Sequence, residues 1–495
     1  MGSSISGCVN RRLKDVSGWG EPAKVGYDGA LLKASEIAVD LVSPPLRPAF
    51  PPKGSSMYPR RFLHTPARFL FTTLAALILV SSAFATTEKL LYSFQGSSDG
   101  VNPNAGLVAD AAGNLYGTTA FGGTNAACSC GSVFELSPPT TTGGAWTETI
   151  LYSFRGGNRD GERPMGTLTF DAQGNLYGTT LAGGANNPGT IFKLSPPATA
   201  GGAWTEKVLF VFPSDLSRGY GPQGKLVFDA AGNLYGSTQS GGSKCDCGTV
   251  FELKAPATTG GAWTHIVLYN FGPTTSDDGL YPSPDIIYRN GVIYGVTHSG
   301  FGTSQNGIVF QLVRKPGTWT ENILYRFDGS ESSRPEGGLV LDPAGNLYGA
   351  TADGGSLNCP PGCGTIYELS PPTVAGGAWQ ETILYNFLAH GDGAYPSATL
   401  WRDSAGDLYG TASAGGIKNR QNNDVGGGTV FKLKAPASAG GTWTLAVLHD
   451  FSYPAADGSF PTGALMMFNG VFYSTTTFGG TPDYNDYGTV FSVVP

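Results

Sequence analysis

Short runs of aromatic and β-branched residues recur along the chain from residue 88 onward. Residues 146–194 hold four of them, at 146–154, 166–170, 175–180 and 189–194, each bounded by Gly, Pro or Asn. Such runs between turn-forming residues are typical of β-strands. No segment after residue 85 keeps an apolar period of 3.6 residues over ten positions. The pattern therefore predicts an all-β protein with almost no helix.

The four-run unit of about sixty residues is repeated seven times. Its marker is the tyrosine of an Asn-Leu-Tyr-Gly-Thr-Thr core, found at Tyr116, Tyr177, Tyr235, Tyr294, Tyr348, Tyr409 and Tyr473. Asp-x-x-Gly-Asn or Asn-Gly turns predict hairpins between the runs. Because so many strands exceed one open sheet, we predict a seven-bladed β-propeller of four-stranded antiparallel blades. A β-solenoid is the alternative, but its coils are normally much shorter.

The two ends of the repeat region complement each other. The first repeat opens with the run 88–94, which matches the last run of the other units, and the seventh repeat stops after 488–494 without that run. An unpaired apolar strand edge is unfavourable. We therefore predict that residues 88–94 pair antiparallel with 489–494 as the outer strand of the last blade and close the ring.

The N-terminal region has a different composition. Arg60, Arg61 and Arg68 precede an apolar run at 69–80 and then Ala83-Phe84-Ala85. These features predict a signal peptide over 57–85, with a membrane anchor as the alternative. Residues 1–56 are then a disordered, non-native upstream extension, and 86–495 form the propeller. We expect a secreted or periplasmic protein, with attachment to the cell surface left open.

The charge balance excludes one class of partner. The chain carries 30 basic and 37 acidic residues, and ten of the basic but five of the acidic residues precede residue 86. The remaining chain is thus clearly acidic, so nucleic acid is not an expected partner. It contains no apolar run long enough to span a bilayer. We expect a monomer whose partner is an extracellular carbohydrate or protein.

Six cysteines follow the Gly-Gly turns of repeats one, three and five, as Cys128/Cys130, Cys245/Cys247 and Cys359/Cys363. Closely spaced pairs in an exported chain favour disulfides within each loop. Free thiols and metal or redox chemistry are the alternatives. Two thiolates without repeated histidines make a poor zinc site, so we expect neither a metal nor a cofactor.

Asp-Gly-x-x-Pro segments recur in five repeats, at Asp99, Asp160, Asp278, Asp392 and Asp457. They could bind a polar ligand, or they could serve only as turns. If strand directions alternate, these loops share one face of the disc with the cysteine loops. The unrepeated residues on that face are additional ligand-binding candidates: Arg218, Tyr220, His298, Arg334 and His390.

Sugar stacking is one interpretation of the repeated Tyr and Trp residues, but their fixed strand positions favour packing between blades. Trp401 breaks the register and is the exception. No His-Glu-x-x-His or phosphate-loop motif is present, and the sequence indicates no catalytic residue. A binding scaffold is the expected function. A propeller glycoside hydrolase or lyase is the alternative, because its acids can come from any two loops.

The combined motifs resemble the GloVer tandem repeats of bacterial exported proteins, also called choice-of-anchor tandem repeat proteins. The likeness rests on Gly-Asn-Leu-Tyr-Gly-Thr-Thr, Gly-Thr-Val-Phe-Glu-Leu, Gly-Gly-Ala-Trp-Thr and Leu-Tyr-Ser-Phe, and it covers residues 86–495. The repeated tryptophans are Trp146, Trp204, Trp263, Trp319, Trp379 and Trp443. The resemblance implies export and no particular activity. A looser likeness to kelch repeats is consistent with the propeller.

Overall fold

The structure is a computed structural model that describes residues 88–495 apart from short gaps at 97, 126–127, 200, 259, 273–277, 303–304, 357, 360, 390, 417–425, 439, 452–456 and 481–486. The expected signal peptide at 57–85 and the expected extension at 1–56 lie outside the described residues. In the described part no helix is long and apolar enough to cross a membrane.

The strands form seven antiparallel sheets, one for each repeat. The first strand, β1 (Glu88–Ser93), belongs to the last sheet. Blade one contains β2 (Val108–Ala109), β3 (Leu115–Thr119), β4 (Ser132–Ser137) and β5 (Thr147–Ser153). Blade two contains β7 (Thr169–Phe170), β8 (Leu176–Thr180), β10 (Thr190–Ser195) and β11 (Thr205–Val211), with the short ladder β6 (Gly161–Glu162) and β9 (Ala182–Gly183) at its entrance. A 3-10 turn at Gly157–Arg159 precedes β6. Blade three contains β12 (Val227–Phe228), β13 (Leu234–Thr238), β14 (Thr249–Lys254) and β15 (Thr264–Asn270).

The other four blades repeat this order. Blade four contains β16 (Gly279–Pro282), β17 (Ile287–Arg289), β18 (Val292–Gly300), β19 (Ile308–Lys315) and β20 (Thr318–Arg326). Blade five contains β21 (Ser332–Pro335), β22 (Val340–Leu341), β23 (Leu347–Gly354), β24 (Thr365–Ser370) and β25 (Gln380–Asn386). Blade six contains β26 (Trp401–Arg402), β27 (Leu408–Ala412), β28 (Thr429–Lys434) and β29 (Thr444–Asp450). Blade seven contains β30 (Met466–Phe468), β31 (Val471–Thr476) and β32 (Thr489–Val493), with β1 as its outer strand.

The predicted closure is confirmed. β1 pairs antiparallel with β32, from Glu88 opposite Val493 to Ser93 opposite Thr489. The predicted all-β, seven-bladed architecture is confirmed with it, because the only helical element among the described residues is one short 3-10 turn. The N-terminal strand thus covers the edge that β32 would otherwise expose.

Aromatic residues build the core between blades. The phenylalanine that follows each outer strand is buried and meets an aromatic ring of the next blade edge to face, as Phe154 meets Phe192 at 5.1 Å between ring centroids. The core glycine of the Tyr-Gly-Thr segment makes room for that ring, since a Cβ at Gly178 would lie 2.6 Å from the Phe192 ring. Each interface therefore joins the phenylalanine after the outer strand of one blade to an aromatic ring and a glycine of the next blade.

The marker tyrosines pack between blades, in agreement with their predicted role. Tyr116 lies 5.2 Å from Phe170 of the next blade, measured between ring centroids, and 6.2 Å from Trp204. Trp401 also lies at a blade interface, with its ring 5.1 Å from that of Phe472. The contacts described for these rings are thus core packing rather than an exposed stacking surface.

Candidate functional site

The Asp-Gly loops and the cysteine loops lie together on one face of the propeller. The Asp-Gly loop before blade two pairs with the Gly-Gly turn of that blade, Gly161 opposite Gly183. It also reaches blade one, because the Arg163 N–H donates to the Cys130 carbonyl at 2.9 Å. The Asp-x-x-Gly turns connect the opposite ends of the strands. We call the first face the loop face.

Residues of all seven blades line a cavity of about 120 Å³ around the axis of the ring, which we call the channel. That volume corresponds to about four water molecules. Its walls include Asp285 and Glu336. The Asp285 carboxylate accepts hydrogen bonds from the Lys225 N–H at 3.0 Å and the Thr399 hydroxyl at 2.8 Å. The channel is therefore narrow and has polar walls.

One position of each repeat lies just before the segment that lines the channel. It is the residue before the proline that leads to the innermost strand, namely Asn102, Arg163, Gly221, Tyr281, Arg334, Tyr395 and Phe460. The residue two positions later in each repeat lines the channel. We call these seven residues the mouth ring. They differ from blade to blade although the surrounding motif repeats.

The backbone of the mouth ring is left-handed. Its six non-glycine residues have φ between 54° and 58°, and Gly221 has φ 64°. This conformation costs an L-residue about 1–2 kcal/mol, whereas glycine adopts it freely. Six of seven repeats nevertheless keep a side chain there. Strain retained at a repeated position indicates that the side chains serve a purpose other than folding.

A hydrogen bond to the preceding blade accompanies this backbone conformation. The N–H group of every mouth-ring residue donates to a carbonyl of the preceding blade, with distances of 2.7 to 3.0 Å. In three cases the acceptor is the second cysteine of a loop pair, at Cys130, Cys247 and Cys363. The ring is therefore part of the joint between blades, and its backbone does not depend on the identity of its side chains.

The exposed ring side chains are aromatic or charged. Tyr281 is 39 % exposed, and the Arg334 side chain is 47 % exposed. Tyr395 and Phe460 are partly exposed. The Arg163 guanidinium lies 5.1 Å from the centre of the Phe121 ring. The mouth of the channel thus combines flat apolar surfaces with donors, which is the composition of small-molecule and glycan sites.

His298 and Arg334, two of the sequence-predicted residues, come together at blades four and five. Arg334 forms ion pairs with Glu336 at 3.0 Å and Asp353 at 3.2 Å. Burial raises the pKa of both carboxyl groups, and the charge of Arg334 opposes that shift. Burial, together with the charge of Arg334, lowers the pKa of His298 to about 4. His298 is therefore neutral at neutral pH.

His298 also faces the mouth ring. The register between β16 and β18 places it opposite Tyr281. Its Nε2 atom is buried and has no hydrogen-bond partner among the described residues. A neutral imidazole in this position can accept a proton or a hydrogen bond from a ligand hydroxyl.

The repeated aspartates have partners inside their own loops. The Asp160 carboxylate accepts hydrogen bonds from the Tyr152 hydroxyl at 2.9 Å and from the Arg155 N–H at 2.8 Å. Asp99, Asp278 and Asp392 repeat this arrangement, and Asp457 lies 3.2 Å from the His449 ring nitrogen. Their contacts favour a loop-fixing role over direct ligand contact.

The remaining candidates lie elsewhere on the loop face or outside the described residues. Arg218 is exposed and donates to the carbonyl of His265 at 3.3 Å. The Tyr220 hydroxyl donates to Asp246 at 3.1 Å in a cysteine loop. His390 lies outside the described residues. Sequence reasoning identified Arg334 but missed the other members of the mouth ring. The variable residue before each repeated proline was the available signal.

All six cysteines after residue 85 are paired within their loops, as Cys128–Cys130, Cys245–Cys247 and Cys359–Cys363. Among the described residues no three His, Cys, Asp or Glu side chains are grouped so that they could hold a metal ion. The disulfides brace the loops whose carbonyls hold three mouth-ring residues.

Radial four-stranded blades around a polar channel define the protein as a seven-bladed β-propeller. The model of the Gloeobacter/Verrucomicrobia repeat matches residues 81–305, 201–421 and 286–495. The chain belongs to this repeat family, as its motifs indicated. No curated protein has significant sequence similarity to the chain.

Several solved structures are similar to the chain. An ulvan lyase of polysaccharide lyase family PL25 is 11 % identical, with 80 % of this chain and 94 % of that chain covered and a TM-score of 0.44. PorZ of Porphyromonas gingivalis, a surface component of the type-IX secretion system, is 13 % identical, with 81 % and 48 % covered and a TM-score of 0.44. The endosialidase of phage phi92 is 10 % identical, with 83 % and 68 % covered and a TM-score of 0.42. Similarity at this level does not bear on the activity of the chain.

Proposed function

We propose that the protein binds a carbohydrate at the mouth ring. The observation that carries the proposal is the retention of six side chains in a left-handed conformation that glycine would adopt without strain. Aromatic rings such as Tyr281, Tyr395 and Phe460 can stack on sugar faces, and Arg163 can donate to hydroxyl groups.

Carbohydrate suits this mouth better than a folded protein partner. A protein interface needs roughly 800 Å² of surface on each partner and a desolvated centre. Here the centre is a polar opening, with Asp285 and Glu336 in its walls. These groups can exchange hydrogen bonds with hydroxyls inside the opening. Capture of a protein without any glycan would overturn the proposal.

A glycan array with replacement variants tests the proposal. Tyr281→Gly and Tyr395→Gly keep the left-handed backbone but remove the ring, so they should fold and bind an identified glycan at least about tenfold more weakly. Leu216→Gly is a matched control, because Leu216 is also left-handed and exposed but lies outside the mouth ring. Unchanged glycan binding in the double variant would contradict the assignment.

The same assay distinguishes a structural role of the repeated aspartates from direct contact with the ligand. We assign Asp99, Asp160, Asp278, Asp392 and Asp457 to holding the loop face in shape, because the described carboxylates have partners within that face. Asp160→Asn should therefore lower stability more than it changes glycan affinity. A large affinity loss at unchanged stability would instead place the carboxylate on the ligand.

His298 supports a second candidate, cleavage of the bound polysaccharide. Its unpartnered Nε2 lies beside Tyr281 and Arg334, and its lowered pKa keeps the imidazole unprotonated at neutral pH while making it a weak base. A reducing-end assay on glycans from the array tests it. If the wild-type protein releases new reducing ends and His298→Gln does not, the protein is an enzyme. Glycan binding without such release would leave the binding scaffold as the function.

We also propose that the protein is exported. Three loop disulfides are expected in an oxidising compartment, and they agree with the predicted signal peptide at 57–85. Fractionation of cells that express the full chain should place it outside the cytoplasm, with a mature N-terminus near residue 86. A cytoplasmic protein that retains residues 57–85 would refute this.

A further inference from the structure

Three blade interfaces contain the same trio of side chains. In each, a tyrosine of one outer strand donates to the aspartate of the following loop, and a glutamate on the outer strand of the next blade lies close enough for the charge of the aspartate to act on it; Glu321 also contacts its tyrosine. The trios are Tyr92–Asp99–Glu148, Tyr152–Asp160–Glu206 and Tyr269–Asp278–Glu321. Each glutamate lies four residues before the tyrosine position of its own strand. The trio is therefore a device of the interface, and it is independent of the proposed glycan site.

In the trio between blades three and four, the oxygen atoms that accept hydrogen bonds outnumber the protons that can be donated to them. The Tyr269 hydroxyl lies 3.2 Å from an Asp278 oxygen and 3.1 Å from a Glu321 oxygen. One phenolic proton cannot serve both acceptors at once. The second oxygen of each carboxyl group is buried without a partner among the described residues. Asp278 itself is fully buried.

Few positive charges compensate these carboxyl groups. Lys244 lies 3.8 Å from Asp278, so it can offset only one of the two negative charges beside Tyr269. The charged group that acts on Glu148 is Asp99, and the one that acts on Glu206 is Asp160. Buried oxygens of Asp99, Glu148 and Glu206 also have no partner among the described residues. Two uncompensated buried carboxylates repel each other, unless one of them is protonated.

We propose that each of these three interfaces holds one proton between its aspartate and its glutamate, which joins neighbouring blades by a carboxyl–carboxylate hydrogen bond that is lost at alkaline pH. The aspartate is the ionised partner, because it accepts a backbone N–H in its own loop, as Asp278 does from Gly272 at 2.9 Å. A divalent cation is the other way to join two carboxylates. Calcium, however, takes six to eight oxygen ligands, and two carboxyl groups with a phenol do not supply them.

The titration follows from this geometry. Burial, and then the charge of the neighbouring aspartate, raises the pKa of Glu148 and of Glu206 to about 7 and that of Glu321 to about 8. A carboxyl group whose pKa is raised by folding stabilises the folded state at low pH. This stabilisation is lost as pH rises from the unfolded value of about 4.5 to the folded value of about 7 to 8.

Other interfaces of the ring have different residues at one or more of these positions. Between blades two and three the same positions hold Phe210, Arg218 and His265, and His265 stacks on Phe210 at 4.3 Å between ring centroids. Between blades four and five, Glu331 stands at the aspartate position four residues before the proline, and Glu381 accepts hydrogen bonds from Tyr325 at 2.6 Å and Ser332 at 2.7 Å. Burial raises the pKa of Glu381, its two hydroxyl hydrogen bonds lower it, and the charges of Glu331 and Asp328 raise it.

Urea unfolding from pH 5 to pH 9 tests the proposal with the full mature chain. The folded-to-unfolded ratio should fall on the order of 10- to 100-fold per interface over this range. Glu→Gln changes at Glu148, Glu206 and Glu321 imitate the protonated acid and should remove most of this dependence. Glu252→Gln, on β14 and outside the trios, is the control and should leave it unchanged.

Two outcomes would overturn the proposal. One is a wild-type protein as stable at pH 9 as at pH 5. The other is a protein that loses stability at pH 9, regains it when calcium is added and loses it again with a chelator. That result would mean that a cation, and not a shared proton, joins the two carboxylates. If the triple variant fails to fold, the single variants and the infrared carbonyl band of protonated carboxyl groups at pH 6 decide the question. That band should weaken with each substitution.

Discussion

Substitution of Phe94 by Ala tests how firmly the N-terminal strand closes the ring. Phe94 directly follows β1, is fully buried and packs edge to face on Phe134 of blade one at 5.2 Å between ring centroids. Its N–H donates to the Gly488 carbonyl at 3.1 Å. Truncating a buried phenylalanine costs about 3–5 kcal/mol. That cost is a large part of the 5–15 kcal/mol by which domains are usually stable.

The seven-fold repeat provides a matched comparison. Phe154 occupies the same position after β5, is also fully buried and meets Phe192 at 5.1 Å between ring centroids. The strand before it is continuous with its own blade, whereas β1 is joined to blade seven only by non-covalent contacts. If β1 is an integral strand of the ring, Phe94→Ala and Phe154→Ala should lower the free energy of unfolding equally.

Urea unfolding followed by tryptophan fluorescence measures both variants. Lys89→Ala, an exposed position of β1, should change the free energy by less than about 0.5 kcal/mol. The dependence of the free energy on urea concentration must stay the same for the comparison to hold. The reasoning would be refuted if Phe154→Ala lowered the free energy of unfolding by about 3–5 kcal/mol and Phe94→Ala lowered it by less than about 0.5 kcal/mol. It would mean that β1 detaches before the ring unfolds.

Two further predictions concern the opposite face and the loop disulfides. The Asp171 carboxylate accepts hydrogen bonds from two N–H groups, the Asn175 amide and the Tyr177 hydroxyl, so Asp171→Ala should cost about 1–3 kcal/mol in urea unfolding and leave glycan binding unchanged. A loss of binding would place a ligand site on the opposite face. Protein purified from an oxidising compartment and unfolded without reductant should show no titratable thiol among its six cysteines after residue 85, and six reactive thiols would contradict the pairing.

Much of the fold could be predicted from the sequence because each repeat specifies its own strands and turns. The missing run after residues 488–494 also predicted the closure by β1. These features are local, or they follow from counting strands. A hydrophobic pattern with period two and the turn residues between the runs suffice for both.

The candidate site was harder to predict, for two physical reasons. Tyr281 and Arg334 are not residues that favour a left-handed backbone, so residue type gave no sign of the mouth ring. The trio Tyr152–Asp160–Glu206 joins two blades, and its members meet only when the relative phase of neighbouring sheets is known. Repeat reasoning therefore assigned the aspartates to turns or ligands and overlooked the glutamates.

The mouth ring has a consequence for how this family can diversify. Its backbone is held by a following proline and by an N–H bond to the preceding blade, and neither depends on the side chain at that position. A single codon change at Asn102, Arg163 or any other ring position can thus change the side chain at the channel mouth while these backbone contacts remain. Under the proposed glycan binding, each of the seven positions is a separate determinant of specificity on a constant scaffold.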